Sequence, residues 1–423
     1  MESQPPADIV EQIRDIPFYR DALSRGWFPV LGKSDISRGF PDGWMTPRLR
    51  AALESGEAEF AYGGGADHGR TRIVRPASFP LRSSYRLWSA HPDLAPTWHQ
   101  GCRRVFLTSV PSTEPGVRAT GAVGGRTGPR GGSRRRGESP RGPGAGRPDR
   151  RTVRFGLRLD PERWGRGDVE HMLAAIRSEQ RAHHRGWYHL ECSGTRLAQL
   201  VRKALAWGLW DRFPRPATVV TAYEYTPVNV RRYLERQLGC PVVELVGSAD
   251  LGCLYYSDSG GRYHPFLDRL SVELVPLAPG TNNGLHGLVV TSVRNPYMPL
   301  IRYRPGLCVR TLGGGADPTR VIRLCGRESE LLPTAGGPVS QGDLDDRLTA
   351  VSSRIFLSQL RTTGPREARL LYTTFDGEPL DPARHEALTD SVGDLTGSRC
   401  AIEHRARIPI GACGSYTWLV RER

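Results

Sequence analysis

Four stretches of the chain carry residues that could bind a charged group. The first is a glycine cluster in "FAYGGGADHGRTRIVRP", with the members Gly63, Gly64 and Gly65. The backbone N–H groups of such a loop can cradle an anion, although the loop can also be a plain mobile turn. Asp250 follows the apolar run "PVVELVG", and its carboxylate can ligate a hard cation or hydrogen-bond within its own turn. Arg304 and Arg327 can each hold an anionic oxygen bidentately, or pair with a nearby acid.

A strand–helix–strand unit places Asp250. "PATVVTAYE" predicts a strand, and Thr226 with Pro227 predicts the start of a helix by N-cap and first-turn proline. Gly239 ends that helix, and "PVVELVG" is the second strand. The loop after Val246 then lies at the carboxyl edge of a sheet, where ligands of α/β proteins tend to bind.

The other elements follow from the same kind of pattern. Asp168 is the expected N-cap of a helix over "DVEHMLAAIRSEQ", and "MPLIRYRPGLCVRTL" reads as two strands joined by an arginine-bearing turn. In the tail, "ARLLYTT", "CAIEHR" and "YTWLV" predict strands, and Asp381 caps a helix between them. We place a domain boundary near Ser329, with a large domain over 1–329 and a small α+β domain over 330–423.

The net charge of +15 is concentrated in one segment. Residues 112–152 are rich in Arg, Gly and Pro and lack the aromatic side chains that interleave with charge in RNA-contacting tracts. Such a segment cannot offset its own ordering entropy, so we expect a flexible insertion. Nucleic acid is therefore not an expected partner.

Length and cysteine usage bound the class of protein. The 423 residues suffice for two or three folding units, and eight scattered cysteines have no CxxC spacing of a zinc site. No apolar run approaches the ~20 residues that span a bilayer, and the N-terminus lacks a signal-peptide profile. We expect a cytoplasmic protein without a membrane segment, for which a homodimer stays open.

Five motifs in order resemble the phenylacetate–CoA ligase-like branch of the adenylate-forming (AMP-binding) enzymes. "PFYRDAL" to "FPVLGKSDI" is similar to the family's opening segment, and "VELVGSADLGCLY" lies at its "YGSTE"-like motif. "HGLVVTSV" with "MPLIRYRPGL" matches "GELVVTSL" with "MPLIRYRTGD", "RLCGRESELL" resembles the hinge, and "IPIGACGSY" the terminal signature. The resemblance implies a mixed α/β fold: a large N-terminal domain with flanking helices and a small α+β C-terminal domain.

Some site positions keep a usable residue in this resemblance. Gly247 and Ser248 would lie against the adenine of ATP, and Ala249 beside them is a further nucleotide-binding position. Asp250 takes the place of the glutamate associated with Mg²⁺, one methylene shorter. Arg304 and Arg327 would contact phosphate or ribose oxygens.

Other positions have lost the family's residue. Leu307 stands where an aspartate accepts hydrogen bonds from both ribose hydroxyls, and Ser415 where a lysine clamps the charge that develops during adenylation. The glycines Gly63, Gly64 and Gly65 replace a Ser/Thr-rich phosphate loop. Hydrogen bonds to a charged group contribute ~1.5–3 kcal/mol each, so losing two weakens nucleotide binding by roughly 10²–10³-fold or more.

Three functions are weighed on these grounds. The resemblance implies a ligase that activates a small carboxylic acid with ATP to an acyl-adenylate and transfers it to coenzyme A. The lost positions imply instead a catalytically impaired homologue that binds a ligand or a partner. A nucleic-acid binder acting through residues 112–152 is the third and would show a steep salt dependence.

Overall fold

The computed structural model describes residues 7–62, 72–109, 145–146, 149–222, 224–277, 284–364, 367–411 and 416–422. Within these ranges the helices are α1 (Ala7–Ile13), α2 (Arg20–Arg25), α3 (Lys33–Arg38), α4 (Pro47–Ser55), α5 (Phe79–Ala90), α6 (Ala95–His99), α7 (Arg166–Arg181), α8 (Gly194–Ala206), α9 (Val228–Leu238), α10 (Gln341–Val351) and α11 (Pro382–Thr396). The strands are β1 (Ala58–Tyr62), β2 (Arg72–Pro76), β3 (Arg103–Ser109), β4 (Ala145–Gly146), β5 (Thr152–Leu157), β6 (Tyr188–Cys192), β7 (Thr218–Thr221), β8 (Val242–Ser248), β9 (Gly252–Ser257), β10 (Tyr263–Pro265), β11 (Leu270–Pro276), β12 (Leu285–Ser292), β13 (Leu300–Tyr303), β14 (Leu307–Thr311), β15 (Val321–Arg327), β16 (Ile355–Gly364), β17 (Glu367–Thr374), β18 (Arg399–His404) and β19 (Leu419–Arg421).

An eight-stranded sheet forms the centre of the large domain, in the order β10-β9-β8-β7-β6-β3-β5-β4. Its five inner strands, from β8 to β5, are parallel, whereas β4, β9 and β10 pair antiparallel at the two edges. Helices α7, α8 and α9 cover one face through a fully apolar core, and α5 and α6 cover the other. The crossover β7–α9–β8 that the sequence predicts is confirmed, with parallel pairing of its two strands.

A second sheet holds the arginine-bearing turn. Strands β11, β12, β14 and β15 form an antiparallel path, and β13 pairs with β12. The N-terminal helices pack their apolar side chains against this sheet around Trp44 and Tyr303, which are both fully buried. Leu31 also pairs with β13, because its N–H and C=O bond to Arg302 and Arg304.

The C-terminal part forms its own core. Strands β18, β17, β16 and β19 make a mixed sheet, and α10 and α11 pack on it around Leu344, Leu388 and Trp418. The expected fold class is therefore confirmed: a mixed α/β protein with an α+β C-terminal domain. The bounds 1–329 and 330–423 stay a prediction.

Two of the expected helix caps are wrong. Helix α7 begins at Arg166 with Gly165 as N-cap, and Asp168 lies in the first turn, where its carboxylate accepts the Gly165 N–H at 2.9 Å. Pro227, not Thr226, occupies the N-cap of α9, and the Val228 N–H donates to Asp345 at 2.9 Å. A carboxylate more than a hundred residues away thus replaces the local cap. Gly239 ends α9 with a φ of 64° as expected.

Candidate functional site

Gly247 lies at the exposed carboxyl end of β8, directly against the neighbouring strand. A Cβ atom at this position would come within 2.1 Å of the Gly252 carbonyl oxygen, so only glycine fits. Ser248 pairs with Gly252 and accepts the Leu251 N–H at 3.3 Å. Ser248 and Ala249 are half-buried. The backbone of this turn is therefore an accessible edge on which a flat ligand could rest.

Asp250 is buried beneath that turn. Its residue exposure is 5%, and the hydroxyl of Tyr303 donates to Oδ2 at 2.8 Å. Burial, followed by the Asp250 charge, raises the pKa of Tyr303 far above its usual value, so the phenol stays a proton donor. A long-range hydrogen bond to Tyr303 therefore holds the Asp250 carboxylate.

This environment does not suit a magnesium ligand. Mg²⁺ in nucleotide sites uses one or two carboxylates together with phosphate oxygens and water, which requires an accessible carboxylate. Asp250 is nearly inaccessible, with one oxygen engaged by Tyr303. No group of three or more His, Cys, Asp or Glu that could hold a metal ion occurs among the described residues.

Arg304 is held by an acid. Its Nε lies 3.1 Å from Glu328 Oε1, and its Nη2 lies 2.6 Å from Oε2, a bidentate ion pair. The Arg304 side chain is 37% exposed and that of Glu328 is 15% exposed. Of the two alternatives that the sequence leaves open for Arg304, ligand contact or ion pair, the structure displays the ion pair.

Leu307 and Arg327 face each other as paired residues of β14 and β15. Both are half-buried, and Leu307 also packs against the large apolar core. The turn before Leu307 depends on Gly306, whose φ is 79° and whose carbonyl accepts the Glu328 N–H at 2.9 Å. The Leu307 position therefore offers an apolar side chain and no hydrogen-bond acceptor.

The structure brings most of the predicted positions into one region. Asp250 at the end of β8 bonds to Tyr303 on β13; the next residue, Arg304, pairs with Glu328, which directly follows Arg327.

Four of the predicted site residues cannot be placed in that region. They lie outside the described ranges, so their roles stay predictions from the sequence: Gly63, Gly64, Gly65 and Ser415. The structure describes the residues on either side of these glycines. Tyr62 ends β1, and Arg72 begins β2, its antiparallel partner. The glycine cluster therefore belongs to the connection between two paired strands.

A polar cluster at the same sheet edge was missed from the sequence. Ser193, just after β6, donates its hydroxyl to Glu224 Oε2 at 2.9 Å, and Thr195 Oγ1 lies 3.4 Å from the same oxygen. Arg196 Nη1 lies 3.7 Å from the other oxygen of Glu224. The signal was present in "ECSGT", where two hydroxyl residues directly follow the strand Tyr188–Cys192. Glu328 and Tyr303 were missed as well, although both stand beside predicted arginines.

The structure can also be compared with the expectations about cysteines and membrane segments. The described cysteines are Cys102, Cys192, Cys240, Cys253, Cys308, Cys325 and Cys400, and all are free thiols. Within the described ranges, no helix combines the length and apolar character needed to cross a membrane.

Comparisons with known proteins identify the fold. No family model and no curated protein sequence matches the chain. Among solved structures, 2-hydroxyisobutyryl-CoA ligase in the postadenylation state with R3-HIB-AMP is 13% identical, covers 98% of this chain and 88% of its own, and has a TM-score of 0.66. The anthranilate CoA ligase AuaEII with anthranoyl-AMP is 12% identical, with coverages of 85% and 65% and a TM-score of 0.55.

A third structure agrees. Apo MatB from Rhodopseudomonas palustris is 11% identical, with coverages of 84% and 65% and a TM-score of 0.50. Likeness at these identities bears on architecture, and it confirms the fold that the five motifs imply. The chain has the fold of the adenylate-forming ligases.

Proposed function

We propose that this protein activates a small carboxylic acid with ATP, forming an acyl-adenylate and pyrophosphate, and that it does so slowly. The acyl group would then pass to the thiol of coenzyme A, with AMP as the leaving group. The observation that carries the proposal is the fold itself, since structures of CoA ligases with acyl-AMP align over 98% and 85% of the chain. The phenylacetate–CoA ligase-like branch rests on the five sequence motifs alone.

Different candidate residues would contact different parts of the substrates. The exposed backbone around Gly247 would contact adenine, and Arg327, half-buried at the end of β15, would meet a phosphate or ribose oxygen. Arg304 would have to release Glu328 before it could do the same. The acid would lie near the cluster of Ser193, Thr195 and Glu224 at the carboxyl edge of β6 and β7.

The same residues explain why turnover would be slow. Leu307 supplies no acceptor for the ribose, and Ser415 supplies no cation for the developing charge. Removing one preorganised electrostatic contact typically costs ~10²–10³ in rate. Magnesium stays a prediction from the resemblance, and we assign it no step through Asp250.

A catalytically impaired binding protein is the second candidate. The observation that favours it is that Arg304 and Asp250 already have protein partners, Glu328 and Tyr303. Such engaged side chains stabilise the apo fold and compete with any ligand for the same groups. Cytoplasmic location, a homodimer and the absence of a nucleic-acid partner remain predictions.

Pyrophosphate exchange with a panel of aromatic and short aliphatic acids tests the proposal, together with calorimetry of ATP binding. We expect weak ATP binding and slow exchange that depends on one class of acid. The variant Ser415→Lys should raise the exchange rate by roughly 10²-fold, whereas Ser415→Ala should not change it. If both wild type and Ser415→Lys bind ATP but show no exchange, the impaired homologue is favoured. Folded protein that binds no ATP would refute the proposal.

A further inference from the structure

A cavity of about 150 Å³ lies in the N-terminal region, between α2 and the segment that follows it. Its inner wall is formed by Tyr19, Phe28 and Ile301, whose exposures are 2%, 5% and 0%. Trp27 stands at the opening and is 40% exposed. We call this space, defined by these four residues with Ala22, the N-terminal cavity.

The wall of the N-terminal cavity is rigid. The Tyr19 hydroxyl donates to the Pro299 carbonyl at 2.8 Å and accepts the Ile301 N–H at 3.1 Å, which fixes its ring. The ring centroids of Tyr19 and Phe28 lie 6.1 Å apart. The Arg302 guanidinium bonds to the Phe28 carbonyl at 2.9 Å and so holds that residue in place. The inner wall is therefore held in place by contacts with the rest of the fold, whereas Trp27 at the opening is exposed.

The size and lining of the N-terminal cavity select an aromatic ring. A space of roughly this volume has room for a benzene-sized ring, as in an enclosed apolar cavity of similar size. Aromatic side chains add favourable edge or offset stacking to the burial of such a ring. A ring of this kind would also cover part of the exposed Trp27 face.

Two opposite charges lie at the opening. Asp21 and Arg25 both line the N-terminal cavity, are exposed, and are one helical turn apart on α2. A ligand that carries an ammonium and a carboxylate next to its ring matches this pair. The geometry points to a site for an aromatic α-amino acid, with its ring in the N-terminal cavity, its amine at Asp21 and its carboxylate at Arg25.

This site is distinct from the nucleotide region. None of the residues that line the N-terminal cavity is a predicted nucleotide-site residue, and the Asp250–Tyr303 bond is not part of its lining. Occupancy of the N-terminal cavity therefore needs neither ATP nor adenylation, and the assignment does not depend on the proposed function.

Saturation-transfer NMR and calorimetry with three probes test this site on the full chain. The probes are L-phenylalanine, phenylacetate, which lacks the amine, and phenethylamine, which lacks the carboxylate. We expect L-phenylalanine to bind most tightly and to be undisturbed by ATP. Arg25→Gln should weaken L-phenylalanine and phenylacetate by about two- to fivefold, the range of an exposed ion pair, and leave phenethylamine unchanged. Asp21→Asn should weaken L-phenylalanine and phenethylamine, which carry the amine, and leave phenylacetate unchanged.

Ala22→Leu provides the sharpest variant, because it fills the cavity without removing a wall residue. We expect it to reduce the affinity of all three probes at least tenfold while the urea midpoint stays the same or rises. Arg20→Gln, an exposed change on the same helix, is the matched control and should leave every affinity unchanged. Absence of binding by all three probes, or binding unaffected by Ala22→Leu, would overturn the site; equal affinity for the three would overturn the amino-acid assignment.

Discussion

Leu307 lies opposite Arg327 at the start of β14, and its half-buried side chain packs against the apolar core. The neighbouring backbone is fixed by Gly306 and by the Glu328 N–H. An acidic side chain introduced here would extend from a backbone that is already held in place. In the proposed nucleotide site, this position is thus one substitution away from a side chain that could accept hydrogen bonds from a ribose.

Leu307→Asp is expected to strengthen ATP binding by roughly 10- to 100-fold, because it restores a charged acceptor for two hydroxyls. Calorimetry at constant magnesium and salt concentration measures the change. Leu307→Asn is the matched control: it removes the same apolar contact, has the same size, and supplies no charge. We expect it to gain less than half of the aspartate's free-energy effect.

Equal affinities for ATP in wild type, Leu307→Asp and Leu307→Asn would contradict this view of the position. The two variants should have similar stability, since both move a polar group into half-buried space.

At the scale of elements, α6 and β6 enclose a histidine between the large sheet and its covering helices. His189 is fully buried, its Nε2 lies 2.7 Å from Thr97 Oγ1, and its ring lies 6.4 Å from those of Trp88 and Trp98. Burial, and next the positive charge of Arg151, lowers the pKa of His189 to about 3. The folded protein therefore holds this imidazole neutral through the whole mildly acidic range.

Stability is expected to fall with falling pH because of His189. The unfolded chain binds a proton near pH 6.5 and the folded chain does so only near pH 3, so the loss runs between those values. It approaches 1.4 kcal/mol per pH unit, which gives about 2 kcal/mol at pH 5. Urea unfolding of wild type and His189→Gln at pH 7.5 and pH 5 measures the difference in slope.

The exposed His99→Gln on α6 is the control for that comparison and should keep the wild-type slope. A His189→Gln variant with the same pH slope as wild type would show that this histidine does not control the acid sensitivity. Overall destabilisation of the variant does not affect the test, because the slope is the measurement.

At the scale of the molecule, the C-terminal sheet docks on the helices of the large domain. Phe375, just after β17, stacks on Tyr233 of α9 with ring centroids 4.2 Å apart and an interplanar angle of 11°. Arg202 of α8 donates to the Phe375 carbonyl at 2.9 Å, and Asn229 of α9 donates to the Ser352 carbonyl at 2.8 Å.

A buried polar group reinforces the docking. Arg323 Nη2 and the Tyr225 hydroxyl each lie 2.8 Å from Asp345 Oδ2, and Arg323 is 2.6 Å from the Tyr225 oxygen. Burial, opposed by the Arg323 charge, raises the pKa of Asp345. The aromatic stack, the two hydrogen bonds to backbone carbonyls and this hydrogen-bonded ion pair together hold the C-terminal part against the large domain.

Phe375→Ala is expected to loosen this docking by about 1–3 kcal/mol, since it removes the stacked ring from α9. Limited proteolysis between residues 330 and 340 should become at least about fivefold faster. Phe375→Leu retains apolar contact and should have an intermediate rate. Unchanged cleavage in Phe375→Ala would mean that the stack does not hold the C-terminal part.

Some helix ends and the central crossover could be predicted from the sequence. Gly239 and Asp381 are correctly predicted as the end and the cap of their helices, because at these two helix ends the backbone partners lie within four positions. The crossover β7–α9–β8 followed from periodicity for the same reason. The ordered motifs single out Asp250, Arg304 and Leu307 as candidate site residues, because a motif assigns each residue to a place within it.

Only the tertiary structure decided what those residues contact. The Tyr303 hydroxyl reaches Asp250, Glu328 engages Arg304, and Asp345 takes the N–H that Thr226 was expected to cap. These partners lie 24 to 117 residues apart in sequence. A buried charge must find an opposite charge or a hydrogen-bond donor wherever the fold provides one, and periodicity contains no information about which distant residue that will be.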